Sequence, residues 1–137
     1  MSEAPNLSEM PVVFPNTVHE TLNIRQVEAT PDRVVLEMDV GPDVHQPMGM
    51  LHGGVSAILA ESAASIGAWL NCRPGETSMG TVLNISHLRG KTDGTVTATG
   101  TPFRKGRSVH VWGIEITDEE GRLVAVARCT VAIRPIP

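Results

Sequence analysis

Only one stretch of this chain is built to form a long helix. It opens at Gly53 or Gly54, runs to about Leu70 or Asn71, and is stopped by Arg73-Pro74-Gly75. Its Ala-rich content favours helix. The other patterned segments alternate at strand period. Before the helix, Thr21 to Ala29 carries Leu22, Ile24 and Val27, Pro31-Asp32 marks a turn, and Arg33 to Val40 sets Val34, Leu36, Met38 and Val40 on one face. These two strands are expected to form a hairpin. After the helix come Ser78 to Arg89, Gly94 to Arg104, Ser108 to Thr117 and Leu123 to Ile133. The turns Lys91 to Gly94, Lys105 to Arg107 and Asp118 to Gly121 separate them, and the segment reads as an antiparallel meander. Two strands, one helix and four strands exclude a doubly wound parallel sheet, which needs helices alternating with strands. The prediction is an α+β fold: one long helix wrapped by a curved antiparallel sheet of five to six strands.

A chain of 137 residues is long enough for a single domain with a real core. Residues 1–17, with Pro5, Pro11 and Pro15, read as an irregular arm with room for one short helical turn, and residues 18–137 as the domain. The formal net charge of −4 argues against a broad nucleic-acid surface. The longest apolar run is well short of the ~20 residues a membrane helix needs. No segment has the make-up of a signal peptide. Two distant cysteines, Cys72 and Cys129, fit reduced thiols in the cytoplasm, and no zinc-type spacing is present.

The helix carries one charge. Glu61 is the only charged residue between Leu51 and Asn71. Val55, Ile58, Leu59, Ser62, Ile66, Trp69 and Leu70 make a broad apolar face. Ala57, Glu61, Ala64, Ser65 and Ala68 follow i+3/i+4 spacing along a stripe of small residues. Such a stripe is expected to meet a closely approached surface, a partner subunit or a ligand. A solvated glutamate would keep Lys and Arg as neighbours, and Glu61 has none on its stripe. A carboxylate there suits a nucleophile or a general base on water. Ser65, one turn later, could hold that water or the carboxylate.

The helix start supplies a complementary group. His52 precedes the pair Gly53-Gly54, and a bare Gly53 N–H at a helix N-terminus is a natural donor to a developing oxyanion. Gln46, six residues before His52, lies in a loop that can fold back over the helix start, where its amide could donate to a carbonyl. The alternatives are a plain turn and a loop glutamine meeting water. Arg104, Lys105, Gly106, Arg107 and Ser108, with Arg89 and Lys91, offer phosphate contacts or an ordinary solvated hairpin end. Strand alternation puts His87 and Arg89 on one face and Asn84, Ser86 and Leu88 on the other.

The run Gln46 to Gly54, with Ala57, Leu59, Ala60-Glu61-Ser62 and Ser65, resembles the hot-dog-fold acyl-CoA thioesterases. The nearest group is that of the phenylacetate-pathway, 4-hydroxybenzoyl-CoA (Arthrobacter type), enterobactin-proofreading and 1,4-dihydroxy-2-naphthoyl-CoA thioesterases. The likeness continues through Gly80 to His87, Gly106-Arg107-Ser108 and Trp112 to Ile116 with Asp118 to Arg122. It covers roughly Leu22 to Ile133. Leu88 departs from it, standing where relatives often carry a polar residue.

The resemblance implies a role for each matching residue. Glu61 is the catalytic acid, as nucleophile or base, and Gly53 N–H polarises the thioester carbonyl. Gln46 and His52 orient the thioester, and Ser65 assists the water. Arg104 to Ser108, with Arg89 and with His87 nearby, lie where coenzyme A is met. It also implies a homodimer, usually paired into a tetramer, with each active site at a subunit interface. No metal or cofactor is implied, since coenzyme A is part of the substrate, and no nucleic acid or membrane partner. The expected reaction is hydrolysis of an acyl-CoA, with an aromatic acyl group expected, and with Glu61 supplied from the facing subunit. A hot-dog hydratase or dehydratase and a non-catalytic acyl-CoA-binding protein are the rival classes.

Overall fold

A computed structural model describes residues 13–137. The predicted arm therefore falls mostly outside the described residues. A short helix α1 (Val18–Thr21) leads into strands β1 (Arg25–Thr30) and β2 (Arg33–Asp39). The long helix α2 (Gly53–Trp69) follows, and then β3 (Glu76–His87), β4 (Thr95–Lys105), β5 (Val109–Thr117) and β6 (Leu123–Pro135). Thr21, read as strand from the sequence, closes α1 instead; Thr17 caps that helix by accepting from the His19 N–H.

All six strands form one antiparallel sheet in the order β1-β2-β4-β5-β6-β3. The β1–β2 hairpin forms as expected, and β4, β5 and β6 make a meander. β3 departs from the expected meander. It pairs with β6 rather than β4, so the segment Lys91 to Gly94 is a crossing between distant strands and not a hairpin turn. β3 is thereby an edge strand, with Met79 and Val82 exposed along it.

The core lies between α2 and the inner face of the sheet. Leu36, Met38, Val96, Ala98, Trp112, Ile116, Cys129 and Val131 are fully buried there. The helix meets them through Ser56, Leu59, Ala60, Ala63, Ala64 and Gly67. Of the expected apolar face, Leu59 and Ile66 are buried, and Val55, Ile58, Trp69 and Leu70 are half-buried and pack on the core, while the small residues make the closest approach to the sheet. The reason is packing distance: a Cβ on Gly67 would stand 2.3 Å from the Trp112 ring, so the helix lies too close to the sheet for a large side chain. Of the small-residue stripe, Ala64 and Ala68 are covered by the chain's own fold, while Ala57, Glu61 and Ser65 reach the surface.

Candidate active site

The loop before α2 is folded on itself. Gln46 N–H donates to the Met50 carbonyl at 2.7 Å, and Gly49, at φ 81, makes the return that only glycine takes without strain. The Gln46 side-chain oxygen accepts from the Met48 and Met50 N–H groups. Its carboxamide N–H2 remains the group available to a ligand.

His52 is the N-cap of α2. Its Nδ1 accepts from the Gly54 N–H at 2.8 Å, and its carbonyl accepts from Val55 and Ser56. The first N–H groups of a helix have no partner within it. Here every one from Gly54 to Ser56 has a partner, and the Gly53 N–H makes no hydrogen bond among the described residues. Gly53 lies under the His87 ring, so close that a Cβ would stand 2.7 Å from Nε2. A cavity of about 380 Å³ opens at this point, lined among others by Gln46, Met50, Gly53, Ser56, His87 and Arg89. A free N–H at the positive end of a 17-residue helix, with an amide N–H2 and an imidazole beside it, is a site for a carbonyl oxygen gaining negative charge.

Glu61 stands elsewhere on the chain. Its carboxylate is exposed and lies against Gly80, where a Cβ would meet Oε1 at 2.8 Å. β3 carries a bulge between Gly80 and Val82 at that point. Ser65, one helical turn on, is half-buried, and its carbonyl is held by the Ser78 hydroxyl at 2.8 Å. The two thiols are held largely protonated. Burial pushes both Cys72 and Cys129 up to about 11, with the charge of Glu76 adding to the first and that of Glu61 to the second.

One chain thus brings Gln46, Gly53, His87 and Arg89 together, with His52 behind them as a cap. It does not bring Glu61 to them: eight residues along α2 are ~12 Å of helix rise. It does not bring the Arg104 to Ser108 turn to Arg89 either. Lys105 Nζ pairs with Asp32 at 2.6 Å and reaches Asn71 at 3.3 Å, which puts Arg104, Lys105, Gly106, Arg107 and Ser108 beyond the C-terminal end of α2, opposite to the cavity. Two residues to which sequence reasoning gave no role, Gly80 and Ser56, lie at these two places, the acid and the cavity. Gly80 makes room for the acid, and a glycine inside a strand is a readable sign of close approach. Ser56 shares the inward face with Gly53 at i+3, and Met50 closes over Gly90. Among the described residues no cluster of His, Cys, Asp and Glu is arranged to hold a metal, and no helix is long and apolar enough to cross a membrane.

Residues 48–125 match the sequence pattern of the thioesterase superfamily. The 1,4-dihydroxy-2-naphthoyl-CoA hydrolase of Listeria monocytogenes is 44% identical over 117 residues, covering 85% of this chain and 95% of that protein. The proofreading thioesterase EntH of Cronobacter turicensis is 37% identical over 117 residues, covering 85% of each. Among solved structures, a Haemophilus influenzae thioesterase superposes with a TM-score of 0.84 at 37% identity, over 88% of this chain and 85% of that one. The chain belongs to the thioesterase superfamily, with the hot-dog fold. It is an enzyme, a thioester hydrolase.

Proposed function

We propose that the chain hydrolyses an aromatic acyl-CoA thioester, in sites shared between two copies. The observation that carries this reading is the unpartnered Gly53 N–H at the mouth of α2, facing a cavity beside the Gln46 amide. The thioester oxygen is received by Gly53 and steadied by Gln46. Glu61 of the partner subunit either attacks the carbonyl carbon, expelling the coenzyme A thiolate and leaving an anhydride for water to open, or takes a proton from the attacking water. Ser65 stands one turn from that acid. The reaction needs no metal or cofactor beyond the coenzyme A carried by the substrate.

The sharing follows from β3. Gly80 lies under Glu61 and His87 lies over Gly53, so one edge strand carries a marker of each half-site. They are seven residues apart, which in a regular strand would put them on opposite faces. The bulge between Gly80 and Val82 brings both to the inner face. Antiparallel pairing of β3 with its copy, centred near Leu83 and Asn84, sets Gly80 opposite the partner's His87. Glu61 then meets the partner's Gly53. The exposed backbone edge and the exposed Met79 and Val82 support such pairing. Two dimers then pair into a tetramer, for which exposed Phe103 on the outer sheet face supplies an apolar contact. In such an assembly the Arg104 to Ser108 turn of another chain can serve coenzyme A phosphates alongside Arg89. The free thiols Cys72 and Cys129 support a reducing compartment, the cytoplasm.

The aromatic substrate rests on the likeness to the 1,4-dihydroxy-2-naphthoyl-CoA hydrolase together with the apolar residues Met50, Leu51, Leu88 and Val124 in the cavity lining. The test is thiol release from a panel of aryl- and alkyl-CoA thioesters by wild type beside Glu61→Ala. Glu61-dependent release that is fastest with an aryl ester is expected. Release that ignores the substitution would overturn the reading.

A further inference from the structure

The loop that carries Gln46 is held together by its own hydrogen bonds. The Gln46 side-chain oxygen accepts from N–H groups of the same loop, and the Gln46 N–H donates to the Met50 carbonyl. The two legs meet as a β-bridge between His45 and Leu51, and at its base the His52 N–H donates to the Val44 carbonyl at 2.8 Å. The loop is a closed unit, and the Gln46 carboxamide goes where the unit goes.

Two consecutive carbonyls of the crossing between β3 and β4 receive this unit. The Leu51 N–H donates to the Lys91 carbonyl at 2.7 Å, which ties the leg after Gln46. The leg before Gln46 is tied by a side chain: His45 Nε2 lies 2.8 Å from the Thr92 carbonyl. A carbonyl oxygen only accepts, so the ring carries a proton on Nε2 and donates it. The crossing is itself braced. Lys91 Nζ pairs with Glu119 at 2.6 Å, with 13% of the Lys91 side chain exposed, and the Gly94 carbonyl accepts from the Val40 N–H at 2.8 Å. One residue before Gln46, a half-buried imidazole thus fixes the loop to the same crossing that brings Arg89 to the cavity.

We propose that His45 is a positioning residue, whose hydrogen bond to the Thr92 carbonyl sets where the Gln46 carboxamide stands relative to the Gly53 N–H. Its own ring points to the crossing and acts on the substrate only through Gln46. This rests on the thioesterase reading above, in which Gln46 steadies the thioester oxygen. Loss of the tie leaves the leg that carries Gln46 free to shift, and a shift of about 1 Å in a positioned group costs on the order of 10².

The experiment follows thiol release from the CoA thioester that wild type turns over fastest, in wild type, His45→Ala, His45→Gln, Gln46→Ala and the double variant Gln46→Ala with His45→Ala. His45→Ala is expected to lower kcat by about tenfold to a hundredfold, with a melting temperature within a few degrees of wild type. His45→Gln carries an amide N–H2 about as far along the side chain as Nε2, and its kcat is expected within about threefold of wild type. In the Gln46→Ala background there is no carboxamide to place, and adding His45→Ala should change the residual turnover by less than about twofold. Unchanged kcat in His45→Ala would overturn the proposal, as would a loss that glutamine does not restore. An equal factor lost in both backgrounds would assign His45 to the fold or to a contact of its own and overturn it too. Full activity in Gln46→Ala would overturn it while leaving thioester hydrolysis intact. Absence of thiol release from wild type would overturn it together with the thioesterase reading.

Discussion

Glu61 lies flat against β3 because residue 80 has no side chain. The carboxylate is exposed and makes no hydrogen bond or ion pair among the described residues, so its replacement has little to unfold. Glu61→Gln is expected to leave the melting temperature unchanged and to lower kcat by on the order of 10² or more; kcat within twofold of wild type, from about the same protein stability, would remove the acid from the mechanism. Gly80→Ala tests the same carboxylate from below. The new methyl would come within 2.8 Å of Oε1, so the side chain has to shift. A shift of about 1 Å in a reacting group costs on the order of 10², and kcat should fall with little change in melting temperature. His110 tests burial instead of chemistry. It is 3% exposed, its Nδ1 accepts from Trp112 Nε1 at 3.2 Å, and burial, helped by the charge of Lys105, holds its pKa below the usual 6.5. The unfolded chain therefore binds a proton here before the folded one does. The stability that neutral His110 contributes is complete above about pH 6.5 and is lost as pH falls from there to the lowered folded value. Thermal melts from pH 8 to pH 5 should show this loss, with a shallower acid side in His110→Asn; parallel curves would show that other groups set the acid limit.

At the scale of elements, the helix and strands were legible and their placement less so. Period-two alternation located β2, β4, β5 and β6 to within two residues, because each has one face in the core. Alternation says nothing about which strand lies beside which, and β3 was therefore assigned to the wrong neighbour. The helix face was legible only in part. Leu59 and Ile66 are buried as apolar residues should be, yet the nearest approach of α2 to β5, at Gly67 beside Trp112, leaves no room for a side chain. Gly67 shows how tightly that distance is set. Gly67→Ala gains ~1 kcal/mol of helix propensity. It also puts a methyl 2.3 to 2.7 Å from ring atoms of Trp112, which is fully buried and tied to His110. Overpacking of this kind costs ~1–3 kcal/mol or more. The steric term outweighs propensity, and the melting temperature should fall by several degrees; a rise would mean that the helix can back away from the sheet. The half-sites were legible to different degrees for the same physical reasons. Gly53 and Gln46 belong to one loop and helix start, where local spacing carries the information. The location of Arg104 to Ser108 depends on sheet order, which local spacing does not contain.

For the whole molecule, the proposed oxyanion donor Gly53 and the proposed acid Glu61 lie ~12 Å apart along one helix, while the proposed reaction brings both to one carbonyl group. Gly80 and His87 lie on the same face of an edge strand, so the proposed pairing of two copies through β3 would meet this requirement twice, once for each copy. The consequence can be tested without any structure of the assembly. Gln46→Ala damages the half-site that receives the carbonyl, and Glu61→Ala damages the half-site that attacks it. Each variant alone leaves every shared site defective. In a mixed dimer one site collects both substitutions and the other collects neither. Unfolding and refolding the two inactive variants together in equal amounts makes half of the dimers mixed, so activity should return to about a quarter of wild type. If the site were complete within one chain, both sites of every mixed dimer would carry one defect and refolding would restore nothing. A control with Val82→Asp in both variants, which puts a charge on the exposed β3 edge, should abolish the recovery while each chain remains folded. Recovery that survives that charge would place the shared interface elsewhere than β3.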